Sequence, residues 1–282
     1  MQRRTLALLA AAAVGGLMLA GAAPATAAGH LGSTYVAIGD SEAAGTGNLP
    51  YVDSECLRSQ RSYPMLLGTA LGTGVASSAC AGASTDDVLA EQLGDLGPAT
   101  QLVTITVGVN NADWQAVLLA CGTGGDLACA GAVQAAGTAL QSLPSDIGQL
   151  LLTVRTLAPT AQIVVTGYPM LFGDVAGTCS VGAFQGTPVQ FSAMQTQAIN
   201  PGIAGVNQLI QLGVLGYQQL TGDPGVAYVD VTAAFDGHSL CDTGDRWISG
   251  LVSGKATFDR SFHMNAPGQQ AYAAIVADAI AG

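Results

Sequence analysis

Residues Thr34-Tyr35-Val36-Ala37-Ile38-Gly39-Asp40-Ser41 decide the fold. The first five form a β-branched and aromatic run of strand length, and Gly39 ends it. The same pattern returns in Leu102-Val103-Thr104-Ile105-Thr106-Val107 before Gly108, in residues 162–166 before Gly167, and in residues 226–230, with a weaker candidate at 75–79. Helical spacing separates these runs: Ile147, Leu150, Leu151 and Val154 mark a helix over 145–157, and a last helix is expected over 267–280. Strand and helix alternating in this way predict an α/β fold, a parallel sheet with helices on both faces. Ligand sites in such sheets lie beyond the carboxyl ends of the strands, here just after residues 39, 80, 108, 167 and 230. Two stretches break the pattern. Residues 114–132 hold Cys121 and Cys129 among glycines and are expected to form a small disulfide-pinned loop. Residues 173–200, rich in Gly, Thr, Ser and Gln, are expected to form a lid or substrate loop.

The 282 residues are 49% hydrophobic and 10% charged, with 38 glycines and a formal net charge of −11. Disorder is excluded by so much apolar surface, and nucleic-acid binding by so few cations. Arg3 and Arg4, an apolar stretch over 5–23 and the small-residue Ala25-Thr26-Ala27 have the three parts of a secretory signal peptide, assigned to residues 1–27. An uncleaved anchor is the alternative, since roughly 20 apolar residues span a bilayer; the small-residue site favours cleavage. Residues 28–282 then form a single secreted domain, expected to be monomeric and without stable membrane insertion. Cleavage removes two arginines and no acid, so the balance moves from −11 to −13. One lysine, Lys255, and five scattered arginines remain, too few for a basic stripe. Six cysteines, Cys56, Cys80, Cys121, Cys129, Cys179 and Cys241, lie in the exported part, where disulfides are favoured. They allow 15 pairings, among which spacing does not choose. With no C-x-x-C and with His30, His238 and His263 far apart, no metal site or cofactor is expected.

Chemistry concentrates at the predicted strand ends. Ser41 follows Gly39-Asp40 at the start of a helix, where free N–H groups and the dipole stabilise developing negative charge. It is a candidate nucleophile; capping the helix is the plainer role for such a serine. Ala43 stands where the G-x-S-x-G elbow needs glycine, which argues against an α/β-hydrolase. Cys80-Ala81-Gly82-Ala83 and Gly108-Val109-Asn110-Asn111 follow two further strands, and Phe262-His263-Met264-Asn265-Ala266 precedes the last helix.

In this order, spanning Gly39 to His263, these blocks resemble those of the GDSL/SGNH hydrolase superfamily, and more narrowly its secreted bacterial lipases and esterases with three disulfides. The resemblance implies a three-layer α/β/α sandwich with a mainly parallel, flavodoxin-like sheet, and metal-free hydrolysis of carboxylic esters. It places Ser41 as nucleophile and His263 as base, and builds an oxyanion hole from the N–H groups of Ser41 and Gly82 and the amide of Asn110. It also implies bridges Cys56–Cys80, Cys121–Cys129 and Cys179–Cys241. The substrate is expected to be a small-molecule or lipid ester. A carbohydrate deacetylase, a phospholipase and a non-catalytic binding module are the alternatives.

Several positions depart from the family pattern. Arg260 stands where relatives commonly carry an aspartate three residues before the histidine, and the nearest acid is Asp259. A Ser41–His263 dyad is therefore expected, with the imidazole oriented by a backbone carbonyl, that of Arg260, or else by Asp259. Glu42 replaces a bulky residue and is expected to be a solvated first-turn acid. Asn111 replaces the acid of G-x-N-D and is expected to affect packing. His238 is read as structural.

Overall fold

The computed structural model describes residues 32–254 and 257–281. The expected signal peptide, His30 and Lys255 lie outside the described residues. In chain order the first elements are β1 (Tyr35–Gly39), α1 (Ser41–Ala44), β2 (Tyr51–Asp53), β3 (Arg58–Ser59), α2 (Tyr63–Leu71), β4 (Val75–Ser77), α3 (Thr85–Glu91) and β5 (Leu102–Thr106). There follow α4 (Trp114–Thr123), α5 (Gly125–Ala139), α6 (Leu143–Leu157), β6 (Gln162–Thr166), β7 (Thr178–Phe184) and β8 (Thr187–Ser192). The last are α7 (Ala193–Thr221), β9 (Val226–Val229) and α8 (Ala266–Ala281).

Five strands pair in parallel in the order β4-β1-β5-β6-β9, with Tyr35 beside both Val75 and Leu102. Among these five strands, the second in the chain lies at the edge beside the first, which is the flavodoxin-like order. Alternation along each strand sorts side chains into two cores. Val36, Ile38, Val103, Ile105, Ile163 and Val165 pack with Leu150, Val154 and Ile210 of α6 and α7. Tyr35, Ala37 and Val164 face Leu67 of α2 and Tyr272 and Val276 of α8 on the other side. Both faces of the sheet are thus covered, so its strands are apolar throughout rather than alternating with polar positions. The central exceptions are threonines, and they are paired: Thr106 Oγ1 bonds Thr166 Oγ1 at 2.6 Å and Tyr63 Oη at 2.8 Å, while Ser77 and Gln162 sit at strand ends.

Both irregular stretches contain regular structure. Residues 114–132 are not a loop but α4 and the first half of α5, and the Cys121–Cys129 bridge joins these two helices. Residues 173–200 hold the antiparallel hairpin β7–β8 and the first turns of α7, tied by Cys179–Cys241 to the segment after β9. Cys56–Cys80 completes the sequential set of bridges. The 29-residue α7 hides in the sequence because Gln, Thr and Pro201 occupy its start, yet Ile199, Ile203, Val206, Ile210 and Val214 recur every three or four residues on its buried face.

Gly39 closes β1 with φ of 135°. A Cβ there would lie 2.1 Å from the Thr106 carbonyl oxygen, closer than any real contact, in a region that side chains rarely adopt. Gly39→Ala is expected to lower the thermal unfolding midpoint by roughly 5–10 °C. Circular dichroism melting checks this; an unchanged midpoint would show that the strand end tolerates a side chain.

Candidate functional site

The turn after β1 is held by three carbonyl or amide partners. Gln92 clamps the Gly39 peptide on both sides, its Oε1 accepting the Gly39 N–H at 2.7 Å and its Nε2 donating to the Gly39 oxygen at 2.9 Å. The Cys80 N–H donates to that same oxygen, and the Asp40 N–H donates to the Thr106 oxygen of β5. Asp40, fully buried, caps α1 by accepting the Glu42 N–H at 3.0 Å. Ser41 follows as the first helical residue, so its own N–H has no intrahelical acceptor.

Two further strand ends meet this one. Gly82, at φ of 85°, lies in the turn after β4, and no acceptor for its N–H is found among the described residues. Asn110 lies in a 3-10 turn after β5 and donates one amide hydrogen to the Ala83 oxygen at 3.2 Å. That bond fixes the Asn110 amide beside Gly82 and leaves its second hydrogen for another acceptor. Asn111 packs, as expected, rather than reaching the site: its amide exchanges hydrogen bonds with the Thr85 N–H and hydroxyl.

His263 comes from the segment before α8. An antiparallel bridge, Ile248 with Met264, carries this segment, and Asn48 holds it from below by donating to the Met264 oxygen at 2.9 Å. Phe262 is left-handed, with φ of 63°, and folds the chain back so that the Ser261 oxygen lies 3.0 Å from His263 Nδ1. A carbonyl only accepts, so Nδ1 carries the hydrogen and Nε2 keeps its lone pair. The orienting carbonyl is thus that of Ser261 and not the expected one of Arg260, which instead accepts the main-chain N–H of His263. Asp259 does not hydrogen-bond the imidazole through its carboxylate, which accepts the Tyr51 hydroxyl. Burial pulls the His263 pKa below the ordinary histidine value; the Ser261 and Asp259 carbonyls and the Asp259 charge oppose it without cancelling it.

Ser41, Gly82, Asn110 and His263 line one groove of about 1400 Å³. Its walls are Leu118 and Leu119 of α4, Phe184, Val189 and Phe191 of the hairpin, and Phe258 and Phe262. His238 does not line this groove; its ring stacks on Trp247 at 3.6 Å and its Nδ1 bonds the Asp245 oxygen. Among the described residues no cluster of three or more His, Cys, Asp or Glu side chains is placed to hold a metal.

Glu42 is not a solvated acid. It lines the groove, and its Oε2 is buried without a hydrogen-bond partner. Burial and the neighbouring Asp40 raise its pKa to about 8. Burial also raises Asp40, to about 7, against the hydrogen bonds from Tyr168 and from the Glu42 and Asp40 main chain that favour its charge. Asp40 accepts the Tyr168 hydroxyl at 2.5 Å and the Glu42 N–H, whereas Glu42 Oε2 accepts nothing, so of the pair Glu42 is the one that retains a proton. Sequence reading missed Asp40, Gln92 and Tyr168 as supports of the site. Tyr168 also accepts the Val109 N–H at 3.3 Å, joining the nucleophile turn to the Asn110 turn. A signal for Asp40 was present in its place before Ser41; Gln92 and Tyr168 become visible only through the fold.

Along most of its length the chain is similar to known proteins. The GDSL-like Lipase/Acylhydrolase family model matches residues 37–271. The chain is 34% identical to a lipase of Streptomyces rimosus over 258 residues, which cover 90% of this chain and 89% of the relative. It is 32% identical to Lipase 1 of Streptomyces coelicolor, covering 94% and 91%. Among solved structures, the extracellular lipase of Streptomyces rimosus superposes with a TM-score of 0.75 at 33% identity over 87% of this chain and 98% of that one. Phospholipase A1 of Streptomyces albidoflavus NA297 superposes with 0.76 at 31% identity, covering 88% and 99%.

Two outcomes follow from the ionisable groups. If neutral His263 takes a proton during turnover, kcat/KM falls on acidification through a pKa below that of ordinary histidine, and a pH–rate profile with its acid limb above 6.5 would contradict this. Glu42 binds its proton more tightly folded than unfolded, so it lowers stability progressively as pH rises from about 4, the unfolded carboxyl range, to about 8. Glu42→Gln removes that contribution. Between pH 5 and 8 its melting temperature should fall less than that of the parent; parallel curves would refute the burial of the carboxyl.

Proposed function

The chain belongs to the GDSL-like lipase/acylhydrolase family, and from that membership we propose a secreted serine lipase or esterase working through a Ser41–His263 dyad. What carries the reading is the meeting of Ser41, His263 and three hydrogen-bond donors, each free of a competing acceptor, on one groove. As a carboxylic ester hydrolase the chain has to attack a carbonyl carbon. Ser41 Oγ bonds that carbon while His263 Nε2 takes the hydroxyl proton. Charge developing on the carbonyl oxygen is met by the Ser41 and Gly82 N–H groups and the second Asn110 amide hydrogen, already oriented. His263 then returns its proton to the departing alcohol, and water repeats the sequence on the acyl-enzyme. The Ser261 carbonyl keeps Nδ1 protonated throughout, a task a third acid performs in a triad.

The groove size and its aromatic and aliphatic walls support a long acyl chain over acetyl, and so a lipase or esterase over a carbohydrate deacetylase. Secretion is supported by the extracellular relative, by three disulfides and by the leader-like residues 1–27. Among the described residues no helix is long and apolar enough to cross a membrane.

A graded p-nitrophenyl ester series tests the proposal. Hydrolysis is expected to favour medium and long chains. Ser41→Ala should reduce kcat by about 10⁴–10⁶ and Asn110→Ala by about 10²–10³, with Asp259→Asn much milder than His263→Ala. An acetyl-only preference, or activity surviving Ser41→Ala, would overturn it.

A further inference from the structure

The turn that follows the nucleophile leaves two polar atoms unaccounted for. Gly45 is left-handed, its N–H donating to the Glu42 oxygen and the Thr46 N–H to the Ser41 oxygen, so α1 ends in a Schellman turn. Main-chain groups are thereby satisfied. The side chains four residues apart are not: Glu42 Oε2 and Thr46 Oγ1 are both buried without a partner, and both residues line the groove that holds Ser41. Thr46 is 1% exposed. Buried polar atoms are almost always hydrogen-bonded, because an unmet one keeps its desolvation cost with nothing in return. Two such atoms on residues that line the groove of Ser41 mark a place where a polar group from outside the chain would find partners.

The chemistry of that group follows from the groove. Its α4 and hairpin walls are mostly apolar, with Gln115, Thr123, Gln185 and Thr187 the polar exceptions, while all its acids, Glu42, Glu55 and Asp259, come from the segment after the nucleophile and the base loop, and no Lys or Arg occurs among the described lining residues. An acyl chain fits the apolar walls, which leaves the polar end for the alcohol. A threonine hydroxyl both donates and accepts, and so does a carboxyl that holds its proton; together they match an alcohol hydroxyl, itself donor and acceptor. A phosphate would find acids and no cation among the described lining residues.

Resting on the proposed ester hydrolysis, we infer that Glu42 and Thr46 form a hydroxyl-binding subsite that selects esters of uncharged polyols, such as monoacylglycerols, over esters of simple alcohols or of phosphate-bearing glycerol. The subsite acts on specificity by holding a hydroxyl of the alcohol part while Ser41 attacks the ester. A site built around a substrate hydroxyl discriminates strongly against the analogue that lacks it, because its own groups are then left unpaired.

The experiment compares octanoyl esters of glycerol, of 1-propanol and of glycerol 3-phosphate, below their aggregation concentrations, with the full chain. Glycerol and propanol share a carbon skeleton and differ in hydroxyls alone. The expected kcat/KM ratio of glyceryl over propyl ester is about tenfold or more, expressed chiefly in KM, and the phosphorylated ester is about tenfold or more poorer than its neutral counterpart. In Thr46→Val and Glu42→Ala the ratio should drop towards about one, and Glu42→Gln should retain part of it. Fluorophosphonate labelling of Ser41 reports in each variant whether the nucleophile is still assembled. A glyceryl-to-propyl ratio near one in the parent chain overturns the subsite, and needs no variant to fold. A ratio unchanged in both Thr46→Val and Glu42→Ala overturns it too, as does equal hydrolysis of the phosphorylated ester. In these cases Ser41-dependent turnover of the propyl ester would leave the hydrolase reading standing. Absence of Ser41 labelling and of turnover on all three esters would defeat both.

Discussion

The structure depends on how closely β1 and β5 approach at their carboxyl ends. The Thr106 oxygen accepts the Asp40 N–H while lying where a side chain on Gly39 would stand, so the strand can turn there only through glycine. That turn puts Ser41 at the first position of α1 with an unspent N–H, and sets the Gly39 oxygen where the Cys80 N–H and the Gln92 amide both reach it. The donor from the β4 turn and the nucleophile from the β1 turn are then neighbours by construction. Bringing them together otherwise would need long polar side chains, whose ordering is costly. Here main-chain groups, already fixed by the sheet, do most of it.

A recurring device secures the chain beyond β1 and β6. Gln92 pairs with the Gly39 peptide, Asn207 of α7 with the Tyr168 peptide at 2.8 Å in each direction, and Asn200 of α7 with that of Phe172. Each carboxamide supplies the donor and the acceptor that a parallel strand loses when it leaves the sheet. Tyr168 then extends this control to Asp40 and Val109 through one hydroxyl. A charge-assisted bond such as that to Asp40 is stronger than a neutral one, so the β6 end holds both the nucleophile turn and the turn bearing Asn110. The long α7, which touches no substrate through Asn207, thus contributes to the site by fixing the peptides beneath it.

What could be read beforehand was whatever local chemistry dictates. Four of the five sheet strands stood out as β-branched runs ended by glycine or turn residues, β4 being a weaker candidate, and Ser41, Gly82, Asn110 and His263 occur in short blocks. What failed was local in appearance but tertiary in cause. α4 and α5 are built from Ala, Gly and Leu with weak polar contrast between faces, so no periodicity marks them, and the glycines around Cys121 and Cys129 suggest a loop. The hairpin β7–β8 exposes most of one face and carries Gly182, Gln185 and Gly186, a composition shared with irregular segments. The Ser261 carbonyl was unreadable because it depends on a left-handed phenylalanine, which sequence gives no reason to expect. Glu42 was misjudged because a first-turn acid is ordinarily at the surface; here the helix is four residues long and its first turn is the floor of a groove.

His263 is positioned from more than one side, which bears on how the proposed dyad does without an acid three residues before it. In a triad the acid fixes the tautomer and ring orientation and stabilises the imidazolium. The Ser261 carbonyl supplies the tautomer. Orientation comes from the backbone: Ser249 donates to the His263 oxygen, Asn265 to the Trp247 oxygen, and Asn48, from the segment just beyond the nucleophile, to the Met264 oxygen. In the proposed dyad the remaining task, stabilising the cation, is left to the Asp259 charge acting through space, with its carboxylate held away on Tyr51. An acid so placed favours the imidazolium weakly, and burial opposes it. Burial thus favours the neutral imidazole, the resting state that the proposed general-base role of His263 requires. Asn48 and Ser41 lie on one short segment of chain, so the stretch that presents Ser41 also holds the segment that presents His263.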